Sequence, residues 1–184
     1  MFDIKLSENF RRKARLVADG HLTEAPKSVT YSSVVSRDSV RICLLLAGLN
    51  GLDIKVADVK LAYLQAPCRE KVWTIANEAF FDEEGTFFKI VRALYGLSSS
   101  GAAFRSFMAN MLDELNFKPS IADPDVWLRC GIRPGSTERC YECVLVHVDD
   151  IMVLSAMASL VMEALQKKLT FKNGEASDPD ILTC

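Results

Sequence analysis

No run of apolar residues in this chain is long enough to cross a membrane. The longest, Ile42–Leu49, spans eight positions, against the ~18–20 a bilayer-spanning helix needs. There is no excess of one charge either. The 22 Lys and Arg stand against 24 Asp and Glu, a net charge of −2. That excludes a histone-like polybasic binder, so any contact with nucleic acid must use local patches. Residues 1–41 hold such a local surplus, eight basic against five acidic side chains, about +3. Glycine and proline, nine and six, are too scattered for a low-complexity tract, and no internal repeat occurs. The six cysteines follow no disulfide framework. The start, Met1-Phe-Asp-Ile-Lys5, carries early charges and no apolar stretch. No secretory leader is expected, and reduced thiols in a cytosolic or nuclear setting follow from that. P-loop, Rossmann glycine, H-E-x-x-H and G-x-S-x-G motifs are all missing.

What is present is ordinary for one folded domain: 49% apolar and 25% charged residues in 184, enough to build a core. Residues 13–18 alternate (Lys13, Arg15 and Val17 against Ala14, Leu16 and Ala18), which predicts a strand ending at the Asp19-Gly20 turn. Lys13 and Arg15 then share a face. Ser36 to Leu49 predicts a helix capped by Ser36 or Asp38 and stopped at Asn50-Gly51. It is apolar nearly all round, so it is expected to be buried. Asp53 to Val59 alternates as a strand, with Ile54, Val56 and Asp58 on one face. Short strands are expected at 71–75 and 87–91 around the acidic turn Asp82-Glu-Glu-Gly85. The clearest helix carries Phe104, Phe107, Met108, Met111, Leu112 and Leu115 on one stripe, a core stripe ended by Asn116 and Pro119. A strand at 126–130, a loop at 131–139 and a helix from Ser155 or Ser159 to about Leu169 follow.

The most informative segment is 143–154. Two apolar, β-favouring runs flank Asp149-Asp150, which places both acids at a tight hairpin turn. Adjacent carboxylates repel by ~4 kcal/mol at 4 Å with an effective dielectric near 20. A solvated turn tolerates that; so does a hard-metal site. Mg²⁺ takes one or two carboxylates plus phosphates and water. A pair of ions ~3.5–4 Å apart can hold both oxygens of a phosphoryl transfer. A further acid is then needed, and Asp58, at the end of another apolar strand, is the candidate. Cys130, Cys140, Cys143 and His147 form a rival set for zinc, with a single C-x-x-C spacing; buried core thiols are the simpler reading.

Six blocks in order resemble the reverse transcriptase domain of Ty1/copia-type LTR retrotransposons. They are Lys13-Ala-Arg-Leu-Val-Ala-Asp-Gly20, Tyr31-Ser-Ser-Val-Val35, Val56-Ala-Asp-Val-Lys-Leu-Ala-Tyr-Leu64, Ala93-Leu-Tyr-Gly-Leu97, Ala122-Asp-Pro-Asp125 and Val146-His-Val-Asp-Asp150. The resemblance implies an α+β fold with fingers and palm, a small antiparallel palm sheet packed on helices, and no thumb within these residues. Fingers-like parts are expected at about 1–52 and 65–100, palm-like parts at about 53–64 and 101–172, and a polar tail at 173–184. It implies an RNA-directed DNA polymerase working by two-Mg²⁺ nucleotidyl transfer, with Mn²⁺ as a substitute. The carboxylates of Asp58, Asp149 and Asp150 and the Val59 carbonyl would hold the metals, with Asp149 a more direct ligand than Asp150. Tyr63 would stack beneath the incoming sugar and disfavour a 2′-hydroxyl. Lys13 and Arg15 would contact the triphosphate, and His147 would lie near the primer.

The implied partners are an RNA template, a DNA primer, dNTPs and the integrase and RNase H parts of a polyprotein, in a cytoplasmic particle or the nucleus, with no membrane and no secretion. Three positions depart from the family pattern. His147 replaces the usual tyrosine, Ser98-Ser-Ser-Gly-Ala102 replaces a lysine or glutamine followed by proline, and Phe104 replaces a tryptophan. Primer-grip, thumb, connection and RNase H regions would fall beyond Cys184. Two further readings stay open: an inactive remnant of the fold acting at most as a nucleic-acid-binding module, and a zinc-stabilised interaction module.

Overall fold

A computed structural model of the chain describes residues 2–5, 10–20, 23, 26, 30–76, 85–172, 174 and 176–179. In chain order the elements are β1 (Phe2–Lys5), β2 (Arg11–Ala14), α1 (Arg37–Asn50), β3 (Asp53–Asp58), α2 (Ala62–Gln65), β4 (Trp73–Ile75), β5 (Phe87–Lys89), α3 (Ser100–Glu114), β6 (Lys118–Pro119), β7 (Val126–Ile132), β8 (Arg139–His147), β9 (Asp150–Ser155) and α4 (Ala158–Gln166). They fall into two compact units. One comprises residues 1–31 and 63–107, the other residues 32–62 and 108–184. The fold is mixed α and β, built around an antiparallel sheet.

The second unit carries that sheet, five strands in the order β3-β9-β8-β7-β6. The strand predicted over 53–59 and the hairpin predicted over 143–154 are its β3, β8 and β9. The register sets Ile54 opposite Leu154 and Val56 opposite Met152, and Leu145 opposite Met152. One sheet face therefore presents Ile54, Leu145, Met152 and Leu154, packed with Cys43 and Ala47 of α1. On the opposite face Val144, Ile151 and Val153 are buried. In α4, which packs against β3 and β9, Val161 and Leu165 point inward as the spacing predicts. The α3 stripe behaves likewise: Phe104, Met108, Met111 and Leu112 are buried, and Asn116 ends it with a left-handed φ of 64°.

Helix α1 has the caps its sequence announces. The Ser36 hydroxyl accepts from the Ser39 N–H, and Gly51 closes the other end at φ 58° with its N–H on the Ala47 carbonyl. Its burial differs from expectation. Only Cys43 and Ala47 are buried, whereas Ile42, Leu45, Leu46 and Leu49 are 57, 62, 46 and 74% exposed. A helix lying on a sheet hides one stripe, and apolar composition all round does not supply a second cover.

The Asp123-Pro-Asp125 block has a structural job. The Asp123 carboxylate accepts from the Ser36 N–H at 2.9 Å and the Ser39 hydroxyl at 2.6 Å. That ties the start of α1 to the turn before β7. Burial opposes the charge, but the hydrogen bonds from Ser39, Ser36 and Asp125 outweigh it and hold the carboxyl below its usual range. Asp123→Ala is expected to cost about 1–2 kcal/mol, the worth of a helix-end carboxylate with two donors. A lowered folded-state value means the stabilisation is full above the unfolded value and fades as pH falls through the folded one. Urea denaturation of both proteins should therefore show a gap at pH 7 that narrows below about pH 4.

The first unit holds two two-stranded sheets, β1-β2 and β4-β5. The strand expected over 13–18 is displaced. The paired residues are 11–14, set against 2–5 in a register that places Lys13 opposite Asp3. Residues 15–19 run on outside any strand. The side chain of Lys13 and the acidic turn residues 82–84 lie outside the described residues. The expected loop at 131–139 is shorter, because the β7-β8 ladder continues through Gly131–Cys140 and Ile132–Arg139.

Candidate active site

Two apolar strands deliver carboxylates to the same end of the sheet. Register pairs Asp58, the last residue of β3, with Asp150, the first of β9. Asp150 also pairs with His147, the last residue of β8. Residues directly opposite on antiparallel strands point to one face with Cβ atoms ~4.5–5.5 Å apart. Asp58, Asp150 and His147 thus share a face. The Val59 N–H donates to the Asp149 carbonyl at 2.6 Å, so the third acid belongs to the same corner. Asp58, His147 and Asp150 rim a cavity of about 350 Å³ whose remaining wall is mostly apolar, including Val35, Val56, Leu145 and Met152.

The hairpin turn is strained where the acids sit. Val148 adopts φ 54°, a region that β-branched residues avoid, and a two-residue hairpin forces it there. Strain of this kind persists where the surroundings over-determine it.

Asp150 is held above the ordinary carboxylate range. Burial contributes most, then the charges of Asp149 and Asp58; His147 and Lys172 oppose the shift. A raised folded-state value stabilises below the unfolded value and loses that benefit as pH rises through the folded one. Near neutral pH the ionised carboxylate works against folding. Asp150→Asn is expected to stabilise by about 1 kcal/mol at pH 7, a like-charge term of surface size, or about 2–4 °C in melting temperature for this length. Calorimetry should show the gain shrinking as pH falls from 7 toward about pH 4 and absent below it.

The pattern-based reading did not find Lys172. Its ammonium donates to the Asp58 carboxylate at 2.8 Å, and its N–H to the Asp58 carbonyl at 2.8 Å. After α4 the chain returns along β3, with Phe171 bridged to Val59 and Ser177 to Val56. No local spacing announces such a long-range pairing. The donor set suits a hard divalent cation in kind: three carboxylates, crowded enough to push one of them toward its neutral form. Asp58 is at present satisfied by an ammonium, and among the described residues no three His, Cys, Asp or Glu side chains converge on one point. The rival cysteine set is dispersed. Cys143 is buried in hydrogen-bonding contact with Cys43, which pushes its thiol well up, ahead of burial, while Cys130 is exposed.

The remaining candidates lie in the first unit. The Tyr63 ring meets that of Tyr95 at 4.9 Å between centroids and that of Phe104 at 6.2 Å. The Arg15 guanidinium stands 5.8 Å over the Tyr95 ring.

The family described as "Reverse transcriptase (RNA-dependent DNA polymerase)" matches residues 2–176. The chain is 28% identical over 173 residues to each of two proteins of Arabidopsis thaliana, the retrovirus-related Pol polyproteins from transposons RE1 and RE2. Those matches cover 90% of this chain. It is 26% identical over 157 residues to the corresponding polyprotein from transposon TNT 1-94 of Nicotiana tabacum, covering 82% of the chain. It spans 11% of the length of each of these relatives. The chain belongs to the reverse transcriptase family, in the form carried by copia-type Pol polyproteins.

Proposed function

We propose that this chain is the RNA-directed DNA polymerase part of a copia-type Pol polyprotein, with fingers at about 1–52 and 65–100 and a palm at about 53–64 and 101–172. The observation that carries the reading is the register pairing of Asp58 with Asp150 beside Asp149. Asp58, Asp149 and Asp150, with the Val59 carbonyl, would hold two Mg²⁺. When bound, these ions would supply charge neutralisation and activation for attack of a primer 3′-hydroxyl on an α-phosphate. The chain's own residues do the rest. The strained turn at Val148 fixes the direction of Asp149. Asp150 supplies negative charge at the rim, and Lys172 balances Asp58 while no cation is held.

His147 lies on the exposed rim, where an imidazole can hydrogen-bond the primer end. Tyr63 stacks under the sugar and disfavours a 2′-hydroxyl. Lys13 and Arg15 offer positive charge to the triphosphate. The partners are an RNA template, a DNA primer, dNTPs and the integrase and RNase H parts of the polyprotein, in a cytoplasmic particle or the nucleus.

Extension of oligo(dT) on poly(rA) with Mg²⁺, comparing this chain with Asp149→Asn, tests the proposal. Extension by the parent well above the variant is the expected result. Equal background in both overturns it and leaves an inactive copy of the fold.

A further inference from the structure

Tyr95 sits between two side chains, Tyr63 and Arg15. On one side its ring meets Tyr63 at 4.9 Å with the planes tilted by 40°. That lies inside the ~4.5–7 Å range where tilted aromatic pairs attract. On the other side Arg15 stands 5.8 Å from the ring centroid, within the ~6 Å reach of a cation–π contact. Tyr63 is backed in turn by Phe104, and Phe104 by Phe107 at 6.5 Å. Arg15, Tyr95, Tyr63 and Phe104 therefore form one continuous stack within the first unit.

The backbone fixes this stack as well as the rings do. The Ala18 N–H donates to the Tyr95 carbonyl at 2.7 Å. Two glycines make room for that approach. A Cβ on Gly20 would fall 2.0 Å from the Gly96 carbonyl oxygen, and a Cβ on Gly96 would fall 2.0 Å from the Ala18 carbonyl oxygen. Gly96 also takes φ +93°, which side chains rarely adopt. The segment that follows β2 and carries Arg15 is thus pressed against the loop carrying Tyr95 through a contact that no Cβ can enter. Main chain thus brings the segment of Arg15 beside the loop of Tyr95, and the Arg15 guanidinium completes the contact with the ring.

We propose that Tyr95 is a positioning residue that holds Tyr63 and Arg15 in one nucleotide-facing arrangement, so that recognition of the sugar and of the triphosphate is coupled through its ring. This rests on the reading of Tyr63 and Arg15 as nucleotide contacts. The ligand class is a nucleoside triphosphate, discriminated at the 2′ position. The contacts of Tyr95 with Tyr63 and with Arg15 are both made by its ring, so the ring carries this role. Phenylalanine should serve; leucine, which fills similar space without a π face, should not.

The test is a binding and incorporation comparison of the parent chain with Tyr63→Val, Tyr95→Phe and Tyr95→Leu. A poly(rA)/oligo(dT) duplex is present, and dTTP is compared with UTP. Thermal melting of each variant checks the fold. The expected result has three parts. Tyr63→Val and Tyr95→Leu both lower the dTTP/UTP preference, by about tenfold. Tyr95→Leu also weakens dTTP binding about tenfold through Arg15, an effect Tyr63→Val lacks. Tyr95→Phe restores both values to those of the parent. Suppose Tyr63→Val lowers the preference while a folded Tyr95→Leu keeps both parent values: the positioning role is then overturned and the sugar gate stands. Should Tyr63→Val leave the preference unchanged, the gate falls and the Tyr95 proposal with it. A Tyr95→Phe variant as impaired as Tyr95→Leu would also overturn the proposal, since the ring would then not be the active part.

Discussion

Asp149→Asn is expected to lower Mg²⁺-dependent primer extension by about 10³-fold, with Asp58→Asn close behind and Asp150→Asn nearer tenfold. The scale follows from what a metal clamp supplies. Charge stabilisation by a bound cation is worth several kcal/mol, and ~4 kcal/mol is about a thousandfold in rate. Asparagine keeps the size of the side chain and one acceptor oxygen while removing the charge, so the hairpin should survive. The ordering follows from the proposed ligation, in which Asp149 is a more direct metal ligand than Asp150, so removal of Asp150 costs least. Asp58 differs again, because its carboxylate also takes the Lys172 ammonium. Its replacement also removes the carboxylate that this ammonium meets. A second measurement needs no turnover. Mg²⁺ at a hundred times its dissociation constant should stabilise the parent by about 2.7 kcal/mol and Asp149→Asn by little. If the melting temperatures of both respond equally to Mg²⁺, the three acids do not form a metal site.

How much of this could be read before any coordinates depended on whether a signal was local. The α3 stripe and the Ser36 and Gly51 caps are encoded within a few residues and appear as the pattern predicts. The convergence of Asp58 with the hairpin acids was legible because each sits at the end of an apolar strand, and such ends can meet only where strands pair. Pairings with no local cause were not legible. Nothing in Phe2–Lys5 marks it as the partner of β2. Nothing after Phe171, where the composition turns polar, marks the return that bridges Ser177 to Val56 and brings Lys172 to Asp58. The exposed flank of α1 has the same origin: the chain's composition states that Leu45 and Leu49 are apolar, not what lies against them.

The largest stability effect should come from a side chain that no motif singles out. Glu142 is 6% exposed in the middle of β8. One carboxylate oxygen accepts from the Arg129 Nε and the other from the buried Ser155 hydroxyl. Arg129 in turn donates to the Leu115 carbonyl at 2.9 Å and lies 4.4 Å over the Phe117 ring. One carboxylate thus joins β7, β9 and the end of α3. Space for it is made by a glycine: a Cβ on Gly131 would come 2.9 Å from the Glu142 carboxyl carbon. Removing one member of a buried charged pair costs about 3–5 kcal/mol, because the partner keeps its desolvation without its compensation. Glu142→Ala is therefore expected to lower the melting temperature by roughly 6–20 °C at this length. Glu142→Gln, which keeps an acceptor for Ser155 and loses the charge, should fall between. The decisive comparison is the double variant Arg129→Met with Glu142→Leu. If the penalty is mainly the orphaned guanidinium, replacing both partners by apolar side chains recovers most of the loss, with a coupling of about 0.5–3 kcal/mol. Additive losses in the double variant would mean that the carboxylate acts through packing over Gly131, and the account of this network as an ion pair would fail.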